Sequence, residues 1–141
     1  MKKILTFFVC LAIIFTLVGC QDEEHILSSY DKKECYYEDG FRDYTDYCKY
    51  YYNEQTIKQY EKQSHFKKVT ADNINLLREH LVTYNGYVDS QKYFDKYDFD
   101  CEKQIKAGDL FCLIDKDDPS SFDLYYVDFD KCIVYYFHNN T

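Results

Sequence analysis

The chain has 141 residues and a formal charge of −8, and its aromatic fifth consists of 17 Tyr and 11 Phe with no Trp. That length bounds the protein to one domain with a modest core. The acidic balance repels nucleic acid and anionic headgroups, so it argues against a nucleic-acid partner.

Met1-Lys2-Lys3 leads into the apolar run Ile4 to Leu17, the layout of an export signal. The run is shorter than the roughly 20 apolar residues that a spanning helix needs. It closes on Leu17-Val18-Gly19-Cys20, which resembles a bacterial lipobox. In such signals the cysteine thiol takes a diacylglyceryl group and becomes the first mature residue. Residues 1–19 are therefore read as a lipoprotein signal peptide and Cys20 as the lipidation site. Each buried methylene contributes about 0.8 kcal/mol, and two chains give stable anchoring where one is marginal. Cleavage removes Lys2 and Lys3 and no acid, so the remainder is more acidic still. Gln21 to about Lys33 reads as a polar tether, which gives a lipidated tether over 20–33 and a single domain over 34–141.

Phe41, Tyr44, Cys48 and Tyr51 recur at three- and four-residue steps, which suggests an aromatic-faced helix from Asp43 or Thr45; Tyr50-Tyr51-Tyr52 equally suits a strand. Asn53 to Gln63 reads as a second helical piece. The clearest helix is Ala71 to Tyr84, with Thr70 as N-cap, a stripe of Ile74, Leu77 and Leu81, and Asn85-Gly86 as its stop. Gln91 to Lys106 is expected to be irregular or briefly extended. Lys106 to Asp109 is a turn, and Leu110 to Ile114 is a strand. Phe122 to Val127 and Cys132 to Phe137 form a hairpin across Asp128 to Lys131. The fold class is α+β, with N-terminal helices packed on a C-terminal antiparallel sheet of three or more strands.

Beyond Cys20 the cysteines are Cys35, Cys48, Cys101, Cys112 and Cys132. Their odd number leaves one thiol unpaired or one bridge between chains. Cys35–Cys48 and Cys101–Cys112 are both open as local pairs, and burial as small hydrophobes is an equal alternative. No Cys or His spacing suits zinc. Asp115 to Ser120 invites a calcium reading but puts Pro119 at a ligand position and lacks the turn glycine, so a solvated loop is expected. No nucleophile elbow, phosphate loop or metal-binding helix motif is present, and no cofactor is called for. The tyrosine excess offers a binding surface, because a planar apolar ring with a polar tip stacks on sugars and peptides. Tyr47, Tyr51, Tyr125 and Tyr135 are the candidate ligand residues, set against the expectation that about half of the tyrosines fill the core.

The segments "GFRDYTDYCKYYY", "FKKVTADNI", "YDFDCEKQIKAGDLF" and "DLYYVDFDKCIVYYFHNN" together resemble the small uncharacterised lipoproteins of clostridial-type Gram-positive bacteria. The resemblance implies one exported domain and brings no catalytic residues. The expected function is a membrane-anchored extracytoplasmic lipoprotein on the outer face of the cell membrane, a non-enzymatic binding or envelope-associated module. Its partners would be membrane lipid through Cys20, and cell-wall glycan, peptide or a protein. The alternatives are a surface enzyme using Cys or His, and an accessory subunit of a membrane complex.

Overall fold

The computed structural model describes residues 26–38, 44–90, 96–116 and 120–140. Its centre is one antiparallel sheet of six strands in the order β1-β2-β6-β5-β4-β3. The strands are β1 (Lys32–Glu38), β2 (Tyr44–Tyr51), β3 (Lys67–Lys68), β4 (Leu110–Asp115), β5 (Phe122–Asp128) and β6 (Ile133–Asn140). Helix α1 (Glu54–Ile57) runs into a 3-10 turn at Lys58–Lys62, α2 spans Ile74–Ser90, and α3 is the single turn Cys101–Gln104.

The α+β class therefore holds; the sheet has six strands where three or more are expected, and the helices do not all precede it. The meander β4-β5-β6 is the anticipated three-stranded part. Its last strand is not an edge, because β2 pairs along its whole length with β6. The expected helix near Thr45 is strand β2. Tyr47 is buried on one sheet face and Cys48 and Tyr50 on the other. A strand covered on both sides loses its polar alternation, and its apolar spacing then imitates a helix. Strand β1 starts at Lys32, ahead of the domain start expected at residue 34.

Two layers cover the sheet. On one face α2 lays Leu77, Leu81, Tyr84 and Val88 against Tyr47, Phe122, Leu124, Tyr126 and Phe137. On the other face Ile57, Tyr60 and Phe66 close over Val127, Val134 and Tyr125. Strand β5 is consequently buried along its full length.

Helix α2 begins later and ends later than its sequence suggests. Asn73 accepts from the Thr70 N–H through its side chain at 2.8 Å, so the first turn is spent on that local loop. Gly86 does not stop the helix, because Tyr84 and Val88 on either side are both buried against the sheet. Packing outweighs the roughly 1 kcal/mol that a glycine costs inside a helix. Gly108 is different: it holds φ at +101° in the turn before β4, where the Asp109 N–H donates to the Lys106 carbonyl.

The Cys35–Cys48 bridge joins residues that oppose each other in the β1–β2 pairing. Cys101, Cys112 and Cys132 carry free thiols. Among the described residues no helix is long and apolar enough to cross a membrane. The signal segment and Cys20 lie outside the described residues.

The two glycines give opposite expectations. A Cβ at Gly86 meets nothing within 4 Å, so Gly86→Ala should stabilise the domain by about 0.5–1 kcal/mol. Gly108→Ala should destabilise it, because an L side chain is strained at that φ. Urea titration of both variants checks the pair; a loss of stability in Gly86→Ala would contradict the helical assignment there.

Candidate functional site

The site lies on the sheet face opposite α2. Strand alternation places Lys33 and Cys35 of β1, Cys48 and Tyr50 of β2, Tyr136 and His138 of β6, and Asp123 and Tyr125 of β5 on this side. Register aligns them in rows: Cys35 opposes Cys48, Cys48 opposes Tyr136, and Tyr136 opposes Tyr125. The Tyr125 and Tyr136 rings stack with centroids 4.7 Å apart. In the adjoining row Lys33 opposes Tyr50, and its ammonium sits 5.2 Å from that ring's centroid.

The segment before β1 forms the opposite wall. Tyr52 and Tyr60 share a hydrogen bond of 2.8 Å between their hydroxyls. The Ser28 N–H donates to Tyr60 and the Ser28 carbonyl accepts from Tyr52, which pins this stretch over the sheet. Tyr30 then meets Tyr50 edge-on at 5.1 Å. Between wall and sheet is a cavity of about 420 Å³, lined by Leu27, Ser28, Ser29 and Tyr30 on one side. Lys33, Tyr50, Tyr125 and Tyr136 line the other. That volume is in the range of small-ligand sites.

Behind Tyr136 lies a buried polar cluster. Asp123 Oδ1 accepts from the Tyr136 hydroxyl at 2.8 Å and from His138 Nδ1 at 2.5 Å. Lys116 Nζ stands 3.2 Å from Asp123 Oδ2. Burial pushes the Asp123 carboxyl up, but the His138 and Tyr136 hydrogen bonds and the nearby charge outweigh it and hold the group below its ordinary value. An ionised carboxylate only accepts, so His138 carries its proton on Nδ1. The cluster fixes the Tyr136 ring that lines the cavity wall.

The residues expected to bind separate under this geometry. Tyr125 lines the cavity. Tyr47 and Tyr135 are buried in the α2 face, where a ligand has no ring surface to stack on. Tyr47 donates to Asp98 at 2.8 Å, and burial drives its hydroxyl pKa far up; burial pushes that of Tyr135 up to about 12. Tyr51 is half-buried, donates to Glu34 and has the Lys32 ammonium over its ring. The structure thus brings one of the four to the site.

Sequence reasoning missed Lys33 and the Asp123–His138 pair, whereas Tyr50 and Tyr136 belong to the tyrosine-rich stretches from which the candidates are drawn. The pair has a sequence signal: Asp123 lies five residues before the end of β5 and His138 five after the start of β6, so hairpin register opposes them. His138 sits inside β6, not after it. Of the calcium-like loop, 117–119 lie outside the described residues. Among the described residues no group of three His, Cys, Asp or Glu is placed to hold a metal ion. No known family, curated protein or solved structure matches this chain.

The depressed Asp123 pKa has a defined sign. A carboxyl held low in the folded state adds stability above its unfolded pKa, near 4, and loses it as pH falls through the folded value. Asp123→Asn should therefore cost about 1–3 kcal/mol at neutral pH, and the gap to wild type should close below pH 4. Denaturant titrations from pH 7 to pH 2 measure this; a gap that stays constant would rule out the ionised Asp123.

Proposed function

We propose that the protein is a lipid-anchored module on the outer face of the cell membrane that binds a cell-envelope component in the cavity under Ser28 to Tyr30. The observation that carries the reading is the cavity itself: a ligand-sized hollow walled by aromatic rings and hydroxyls, built across strands β1, β2, β6 and β5 of the sheet. Wall glycan or its peptides are the partners that this chemistry suits, through ring stacking and hydroxyl hydrogen bonds. The Cys35–Cys48 bridge supports an oxidising compartment, since disulfides persist outside the cytosol. The lipobox at Cys20 supports the anchor.

A thiol enzyme fits less well. Cys101 and Cys112 are buried, and burial pushes both thiols up, away from the thiolate that a nucleophile needs.

Two measurements test the parts separately. Cys20→Ala should lose metabolic labelling by a fatty acid and move the protein from the membrane to the soluble fraction; a labelled, membrane-bound variant would refute the anchor. For the cavity, detergent-extracted full-length protein should co-sediment with purified wall glycan. Ser29 is exposed on the cavity wall, so Ser29→Trp should fill the space and reduce co-sedimentation at least tenfold while leaving the melting temperature within a few degrees. Equal sedimentation of both forms would refute the cavity as the binding site.

A further inference from the structure

The aromatic floor of the cavity is covered. Tyr50, Tyr125 and Tyr136 line it, yet they are only 5%, 2% and 9% exposed. Ile26 and Leu27 pack against the cluster that holds these rings, and Tyr30 meets Tyr50 edge-on. With residues 26–31 down, a ligand reaches the exposed Ser29 and Tyr30 but little of the ring faces. Stacking on those faces needs the stretch to lift.

The hold on the stretch is narrow. Its polar clasp is a closed ring of hydrogen bonds: the Ser28 N–H donates to the Tyr60 hydroxyl at 3.1 Å, Tyr60 pairs with the Tyr52 hydroxyl at 2.8 Å, and Tyr52 donates to the Ser28 carbonyl at 3.3 Å. Each hydroxyl has one proton, so Tyr60 is the donor to Tyr52. The Asp31 N–H adds one bond to the Tyr51 carbonyl at 2.8 Å. Ser28 enters the clasp through its backbone alone. Its hydroxyl oxygen is buried with no hydrogen-bond partner, which disfavours the docked state about 5- to 150-fold against one in which water reaches it. Alanine would keep the clasp and lose that penalty, so serine at this position favours release.

We propose that residues 26–31 are a lid on the cavity, released at Ser28, and that a ligand enters as they lift off the tyrosine floor. This lid presupposes the binding reading above and adds how its site opens. The floor itself is preformed: Tyr125 and Tyr136 oppose each other in the β5–β6 pairing, and Asp123 holds the Tyr136 hydroxyl from behind. Opening therefore uncovers ring faces already in place, and the cost falls on the clasp and not on the sheet.

Amide hydrogen exchange on full-length protein in a neutral detergent reads the lid without any ligand. The residue-28 amide should exchange through a local opening, at least hundredfold faster than the paired amides of β5. Ser28→Ala should raise its protection, corrected for the intrinsic rate, at least fivefold. Tyr60→Phe, which removes the acceptor, should lower it. A residue-28 amide that exchanges together with β5, or protection that does not rise in Ser28→Ala, overturns the lid. Co-sedimentation with purified wall glycan then reads the gate. Where only the open form takes ligand, affinity falls in Ser28→Ala by the factor by which protection rises, and climbs in Tyr60→Phe. Equal affinity in all three forms overturns the gate and keeps the cavity as the binding site. No sedimentation of any form overturns the binding reading, while the opening seen by exchange stands on its own.

Discussion

A core built from tyrosine carries a constraint that a core of leucine does not: every buried ring brings a hydroxyl that needs a partner. An unmet buried polar group costs about 1–3 kcal/mol, and several such losses would exceed the stability of a domain this size. The fold meets the demand ring by ring. Tyr47 donates to Asp98, Tyr84 to the Asp46 carbonyl, Tyr126 to Asp109 and Tyr136 to Asp123, while Tyr52 and Tyr60 satisfy each other. Tyr97, half-buried beside them, donates to Asn85.

This requirement accounts for three of the carboxylates. Asp98, Asp109 and Asp123 are tyrosine acceptors before they are anything else, and the cations near two of them balance the charge: Lys49 on Asp98 and Lys116 on Asp123. Their pKa directions follow from how well each is compensated. Burial raises all three, but hydrogen bonds from Lys49 and Tyr47 bring Asp98 below its ordinary value, as His138 and Tyr136 do for Asp123. Asp109 gains a hydrogen bond from Tyr126 and has Asp128 nearby, so burial prevails and its carboxyl stays high. Carboxylates that invite a catalytic or metal reading from composition are here part of the packing.

How much of this the sequence reveals depends on where each residue's periodic signal comes from. The hairpin β5–β6 and the strand β4 are legible because polar turns at 106–109 and 128–131 bracket β-branched and aromatic runs. The stripe of Leu77 and Leu81 identifies α2. The end of α2 is not legible, because Asn85-Gly86 has the chemistry of a stop and only the burial of Val88 overrides it. Strand β2 is not legible either: with both faces covered, Tyr44, Tyr47, Cys48 and Tyr51 fall at spacings that a helix would share. The cavity is the least readable feature. Its walls come from residues 27–30, 33, 50, 125 and 136, which no local pattern connects. Tyrosine as a binding residue and tyrosine as core look alike in one dimension, and the sheet register alone separates Tyr125 from Tyr135.

The strand order has a temporal meaning. Strands β1 and β2 are made early, and β4 and β5 late, and they form two half-sheets with no pairing between them except through β6. The segment that joins them, Ile133–Asn140, is the last of the six to be synthesised. Until it emerges, β2 exposes the edge that will receive it, and so does β5. Strand β6 is thus the piece that covers both borders, and the sheet is completed at its middle and not at one end.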